Sequence, residues 1–547
     1  MPGLHFPWLS LNAALLCTLS LLYLLAGAAG RLTPPAGRPT SRAWTIARLS
    51  SSIALLFALV SGANIWMRTQ ALKEPLIIAA YRTEALALSF RLDAVTVLML
   101  LLVTFLGWII TNYSRAYMSG DKRESRYIRD LMYTLSAVSM LVLTNNLLIF
   151  LASWVFTSLA LHGLLTLYPY RQAAVISAHK KFLASLLGDL SLLCAVLLLG
   201  SQIRSFEIDE VVRHMARSYS VSASIQIAGL LLAASALIKS AQLPLHGWLI
   251  QVMEAPTPVS ALLHAGVVNL GGFMLIRLGA IIGTTKMAQG LLVVIGCLTA
   301  TIASLVMTTR ISVKVYLAWS TCAQMGFMLM ECGLGLYGLA FLHLLAHSLY
   351  KAHAFLGSGE TVSQAKVKQM MPYSPGKSPA ALLISPLLGI LVATLSSFVW
   401  MPHAPLDPAR MACIAIVGLA IAGPLAEASA VRSVVAALFL CLSALGTNLI
   451  YFGYDKLFDA LVQTTQTKNA QPNHLLIFIV ACFVLLYLLQ SIMLIRPKSR
   501  LASALHPWFY AGLYMDELFT RATFRIWPAQ PPTVASPRRD ALQPFNM

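Results

Sequence analysis

The sequence predicts an all-α fold, a polytopic membrane helix bundle of about fifteen spans, and three observations lead there. Of the 547 residues, 58% are hydrophobic and only 11% are charged, where a soluble chain would carry roughly a quarter charged residues; the mean hydropathy is +0.75. Apolar runs of about 20 residues, enough at 1.5 Å per residue to cross a hydrocarbon layer of about 30 Å, recur along almost the whole chain. The basic excess, 39 Lys and Arg against 20 Asp and Glu, sits mostly in the short segments between these runs. That placement orients spans in an anionic membrane and argues against a nucleic-acid partner.

In order, the runs lie near residues 8–27, 50–67, 92–113, 130–144, 147–168, 181–200, 224–243, 256–281, 288–309, 313–332, 336–357, 378–400, 411–430, 433–453 and 474–495. The first lacks a basic leader and is long enough to span, so it is expected as a retained helix. The fourth and fifth are separated only by Asn145 and Asn146. All eight cysteines fall inside apolar runs, none in a C-x-x-C pair, which fits core packing and gives no disulfide or metal framework. The segments after spans one, three and five carry twelve Lys and Arg, and those after spans two, four and six carry seven. The positive-inside rule then puts the N-terminus outside and, with an odd number of spans, the C-terminus in the cytoplasm. Four regions are expected: N-terminal spans (1–90), a conducting core (91–360), C-terminal spans (361–495) and a cytoplasmic amphipathic tail (496–547) in which Trp508, Tyr514 and Phe519 mix with basic residues.

Ionisable groups in hydrocarbon cost several kcal/mol unless paired or hydrated, so those inside spans are functional candidates. Lys239 lies near the end of the seventh span, shortly before Pro244, which cannot donate to the carbonyl of Ser240. A helix broken beside an ammonium is a way to build an ion site. The next segment restarts at Pro256 and Pro258, with Glu254 just before and His264 about two turns inside. His343, His347 and Lys351 are spaced i, i+4, i+8 and share one helix face, roughly 6 Å apart per step, which suits a hydrated proton wire. Asp189, Glu331, and Glu427 near Arg432 fit structural ion pairs or caps equally well.

The string from Lys239 through Pro244, His246 and Trp248, followed by Met253-Glu-Ala-Pro-Thr-Pro-Val-Ser-Ala-Leu-Leu-His264, resembles the core of the antiporter-like family. That family includes the proton-pumping subunits of respiratory complex I and the large subunits of Mrp cation/proton antiporters. Arg91-Leu-Asp93, Lys180-Lys-Phe with Gly188-Asp189, Gln324-Met-Gly326, His343 to Lys351, and Tyr514-Met-Asp516-Glu-Leu-Phe519 extend the likeness. Two departures stand out. The family's Trp-Glu pair in the fifth span, whose glutamate pairs with the lysine of the broken helix, reads Trp154-Val155 here, and the family's lysine of the twelfth span has no counterpart. Glu254, Leu263-His-Ala-Gly-Val-Val-Asn269, Leu349-Tyr-Lys-Ala-His353 and Ser158-Leu-Ala-Leu-His162 resemble one branch, the membrane subunits of inorganic carbon (CO2/bicarbonate) accumulation complexes.

That resemblance implies a bacterial inner-membrane subunit conducting protons or sodium ions to energise a large DabA-like partner, whose zinc site resembles that of β-type carbonic anhydrases. No cofactor is expected in this chain. The implied pathway residues are Lys239, His246, Glu254, His264, His343, His347 and Lys351, with His162, Lys180 and Asp189 as accessories. Glu254 is expected to replace the missing fifth-span carboxylate as counter-charge to Lys239, or else to cap the eighth span. The alternatives are a proton-pumping subunit of an NADH or ferredoxin dehydrogenase, an Mrp-type antiporter subunit, or a non-conducting anchor. A nucleotide-binding enzyme is disfavoured because no glycine-rich phosphate loop is found.

Overall fold

A computed structural model describes residues 7–31, 41–66, 76–82, 87–217, 221–252, 255–360, 379–402, 407–431, 433–462 and 473–527. Helices α1 (Pro7–Arg31) and α2 (Ser41–Trp66) lead into a hairpin, β1 (Leu76–Arg82) with β2 (Ala87–Leu92). Then come α3 (Ala94–Tyr117), α4 (Glu124–Leu143), α5 (Leu147–Leu165), α6 (Gln172–Ile203), the short α7 (Ile208–Arg217) and α8 (Ala223–Lys239). The centre holds the short pieces α9 (Gly247–Gln251), α10 (Thr257–Ala265), α11 (Leu270–Arg277) and α12 (Gly279–Thr284), followed by α13 (Lys286–Met307), α14 (Val313–Gly333) and α15 (Tyr337–Leu356). Four further long helices, α16 (Pro379–Trp400), α17 (Pro408–Ala428), α18 (Val434–Leu461) and α19 (Asn473–Ile495), precede α20 (Arg500–Tyr510) and α21 (Met515–Ile526). Each of the fifteen apolar runs of the sequence has its helical counterpart, and among the described residues ten segments are by themselves long and apolar enough to cross a membrane.

Local chemistry explains the boundaries. Asn146 Oδ1 accepts from the amides of Leu148 and Ile149, so two asparagines suffice to end α4 and start α5. Asp93 caps α3 by accepting from Thr96 N at 2.8 Å. The eighth span, expected as one helix, is broken after Ala265 by a 3-10 turn. Asn269 reaches back across the break, donating to Ala265 O at 2.9 Å and to Ser348 Oγ at 2.6 Å. Nearby, a side chain at Gly271 would collide with Ser240 Oγ and the Ala236 carbonyl, so only glycine lets α11 approach α8 this closely.

One element departs from the all-helical expectation. The antiparallel β1–β2 hairpin occupies part of the loop after the second span; Leu-Ile-Ile-Ala-Ala-Tyr-Arg is seven residues long, too short to span as a helix, and pairing satisfies its backbone. The hairpin is pinned by a charged cluster. Arg91 bridges Asp93 and Asp209, each at 2.7 Å, and Arg277 joins Asp93 at 2.8 Å, tying β2, α3, α7 and α11 together. Burial alone would raise the Asp93 carboxyl, but the Arg277 and Arg91 guanidiniums beside it hold it well below the usual carboxylate range. A carboxyl depressed on folding contributes stability above its unfolded value, near 4, that is lost only as pH falls further toward the folded value. Arg277→Met removes one partner of a buried pair and should cost about 3 kcal/mol, read as a lower unfolding temperature in detergent at neutral pH; an unchanged temperature would remove the cluster from this role.

Candidate functional site

α8 ends on Lys239 because the chain beyond it cannot continue the ladder. The carbonyl of Ser240 that Pro244 leaves without a helical donor is taken up by Gln242 Nε2 at 2.8 Å, and Ser240 Oγ donates to Val268 O at 3.0 Å. The Lys239 ammonium is thus fixed at a break. It donates to Ser158 Oγ at 2.5 Å and to Trp154 O at 3.4 Å, and lies 4.5 Å from the centre of the Trp154 ring. Its ion-pair partner is Asp189 of α6, at 3.9 Å. A second buried lysine, Lys181, donates to the carbonyl of the same Ser158 at 2.5 Å. Two ammonium groups therefore gather on one serine beside one carboxylate.

A similar arrangement recurs around Lys351, fully buried near the end of α15. Its ammonium bonds Leu317 O at 3.2 Å and Ser320 Oγ, as Lys239 bonds a carbonyl and a serine hydroxyl one turn apart on α5. His347 and His343 follow on the same face, their ring centres 6.4 Å apart. His264 of α10 lies parallel to the Phe355 ring at 4.4 Å, one turn from Lys351. Neither ring nitrogen of His246, His264 or His347 has a protein hydrogen-bond partner among the described residues, and all three side chains are buried. An unsatisfied buried polar atom costs about 1–3 kcal/mol, which water relieves, so these imidazoles favour a hydrated file over a dry core.

The structure redistributes several expected roles. Glu254 lies outside the described residues; the counter-charge seen beside Lys239 is Asp189. His246 bonds neither Lys239 nor His264: its ring packs 4.8 Å from Trp319, because the break at Pro244 turns it toward α14. Lys180 is not part of the Lys239 cluster, since consecutive helical residues point about 100° apart. It pairs at 2.8 Å with Asp516, which also accepts from Gln251 Nε2 at 2.7 Å and packs against Gly247, where any side chain would collide with it. So α20 and α21, part of the expected amphipathic tail, contact the chain's own bundle, helped by Arg310 donating to Phe509 O at 3.3 Å, while Trp508, Tyr510 and Tyr514 stay exposed. His162 sits edge-on to Phe182 at 5.7 Å, with no direct bond into the Lys239 cluster. Lys181 and Ser158 fall in stretches that carry the family likeness but were not expected as pathway residues. The available signal was the i, i+8 spacing of Lys181 and Asp189, which places both on one face of α6.

Comparison with known proteins came to the same region. The family described as NADH:quinone oxidoreductase/Mrp antiporter, TM, matches residues 144–396, and the complex I chain 5 N-terminus matches residues 82–128. A probable inorganic carbon transporter subunit DabB from Hydrogenovibrio crunogenus is 39% identical over 458 residues, 81% of this chain and 84% of that one. DabB2 from Halothiobacillus neapolitanus is 37% identical over 455 residues, 81% of each chain. In the Mrp complex from Dietzia sp. DQ12-45-1b, one chain has the same fold, with a TM-score of 0.55 at 22% identity; the match covers 93% of this chain and 56% of that one.

Proposed function

We infer the function of this chain from its family: it belongs to the DabB-type inorganic carbon transporter subunits, within the NADH:quinone oxidoreductase/Mrp antiporter family. It is a multi-pass membrane subunit of a transporter and not in itself an enzyme. On the proposed reading it sits in a bacterial inner membrane with its N-terminus outside and its C-terminus inside. It conducts protons along Lys239, His264, Lys351, His347 and His343, and their flow energises a DabA-like partner that carries the zinc and interconverts CO2 and bicarbonate.

The observation that carries this reading is the charge count around Ser158. Lys239 and Lys181 are buried cations, and Asp189 is the acid that pairs there. At an effective dielectric of about 20, a pair near 4 Å gains about 4 kcal/mol, comparable with the several kcal/mol that each buried ion loses in hydration. One anion therefore offsets one cation, and the second ammonium is stable only while a neighbouring charge supports it. Such a cluster gains or loses a proton in response to charge movement nearby, which is what coupling needs.

The test is recovery of the partner. Membranes solubilised mildly and captured through this chain should yield a soluble subunit containing zinc that hydrates CO2; recovery of flavin or iron–sulfur dehydrogenase subunits instead would overturn the assignment. Deleting residues 500–547 should lower partner recovery more than it lowers membrane insertion, because it removes α20 and α21 with their exposed Trp508, Tyr510 and Tyr514. Full recovery of the partner would place the docking surface elsewhere.

A further inference from the structure

Resting on the conduction reading above, we propose that His343 and Glu331 form the outer terminus of the buried file, an imidazole–carboxyl pair that holds one transferable proton and exchanges it with the cavity beside Tyr451. Glu331 closes α14, and its side chain is only 1% exposed; its Oε2 lies 3.2 Å from His343 Nδ1. On the other side of the ring, His343 Nε2 lies 2.7 Å from Gln324 Oε1. Both ring nitrogens therefore face oxygen acceptors, whereas a neutral imidazole has a single N–H.

Two protonation states satisfy this geometry, and they contain the same number of protons. In one, an imidazolium donates to both Glu331 carboxylate and Gln324. In the other, neutral His343 donates from Nε2 to Gln324, and a protonated Glu331 donates its O–H to Nδ1. Removing one proton leaves a neutral ring that donates from Nδ1 to the Glu331 carboxylate, and a half-turn of the Gln324 amide then supplies an N–H to Nε2. The same three side chains thus satisfy both the loaded and the unloaded form, differing by one proton.

The pair stands at a connected place. Eight residues, about 12 Å of helix, separate it from Lys351, with His347 between. Beyond it lies a cavity of about 520 Å³ whose lining is mostly apolar, with Phe327, Leu342, Ile416 and Phe483, and whose polar groups include Gln324, Glu331, His343, Thr447, Tyr451 and Tyr454. Water that enters this space finds its hydrogen-bond partners along that polar row. Tyr451 also borders a second, smaller cavity with Arg410, Asp455 and Asp459. The titratable groups that interact with Glu331 are His343 on α15, Cys332 on α14, Cys413 on α17, and Tyr451 and Asp455 on α18, with Arg410 and Asp459 next to Asp455 and His347 next to His343. Because α14 and α15 run antiparallel across a short turn, Glu331 lies near the membrane face opposite Lys351.

The complex purified through this chain, reconstituted into vesicles enclosing a pH-sensitive dye and driven by a potassium diffusion potential, provides the test. Glu331→Gln and His343→Asn each lower proton flux at least tenfold, whereas Glu331→Asp, which keeps the carboxyl, conducts with a displaced pH profile. In pH-difference infrared spectra, a protonated-carboxyl band present in the wild type is lost in Glu331→Gln and altered in His343→Asn, a change that a merely structural role would not produce. Wild-type flux with an unchanged pH profile in either assembled variant, or a band unaffected by both, overturns the role of this pair while leaving the conduction reading intact. Absence of potential-driven flux in the wild type overturns the conduction reading itself, and the role of the pair with it.

Discussion

Lys239→Ala is expected to abolish energy-dependent inorganic carbon uptake while the chain still assembles with the proposed partner. The ammonium makes its contacts inside the bundle, with Ser158, Trp154 and Asp189, and is only 5% exposed. Removing it takes away the protonatable group at the break but leaves helix packing largely intact, since the ends of α8 and α11 are held by Ser240, Gln242 and Asn269. Lys239→Arg separates charge from proton transfer. A guanidinium keeps the positive charge but does not release its proton near neutral pH, so uptake should fall to the alanine level if the group must alternate between charged and neutral forms. Uptake near wild type in either assembled variant would take Lys239 out of the path.

Asp189→Asn gives the second large effect. The amide keeps the size of the side chain but removes the anion 3.9 Å from Lys239. The lost attraction of about 4 kcal/mol corresponds to about a thousandfold in proton occupancy. Uptake should drop at least a hundredfold, and Asp189→Glu should restore part of it. Glu254→Gln in the same assay decides between the two acids. Loss confined to Asp189→Asn assigns the counter-charge to α6, and loss confined to Glu254→Gln assigns it to the segment before the eighth span.

The helical transits were legible because each is an apolar run bounded by polar residues, and even the division at Asn145 and Asn146 survives as a side-chain cap. The break after Lys239 was legible because proline removes a donor wherever it stands. The break inside the eighth span was not, because Val267-Val268-Asn269-Leu270 is as apolar as a continuous helix, and the turn depends on a long-range bond to Ser348. The hairpin escaped detection because its pairing is stabilised by Asp209 and Arg277, distant in sequence. At the site, His343, His347 and Lys351 share a face by spacing alone, and the structure keeps them in line. Asp189 as a partner of Lys239 was not legible because α5 and α6 bring Ser158, Lys181 and Asp189 to Lys239 only through tertiary packing, whereas nearness in sequence favoured Glu254, which lies outside the described residues. Likewise, nothing in the spacing of Lys180 reveals Asp516 across 336 residues of chain.

On the proposed reading, protons cross the membrane through this chain by way of Lys239. The most direct measurement is proton entry into vesicles containing the purified complex under an imposed membrane potential, compared between the wild type and Lys239→Ala at equal protein incorporation. Rapid internal acidification is expected in the wild type and a trace no different from protein-free vesicles in the variant; equal acidification by both would contradict proton passage through Lys239.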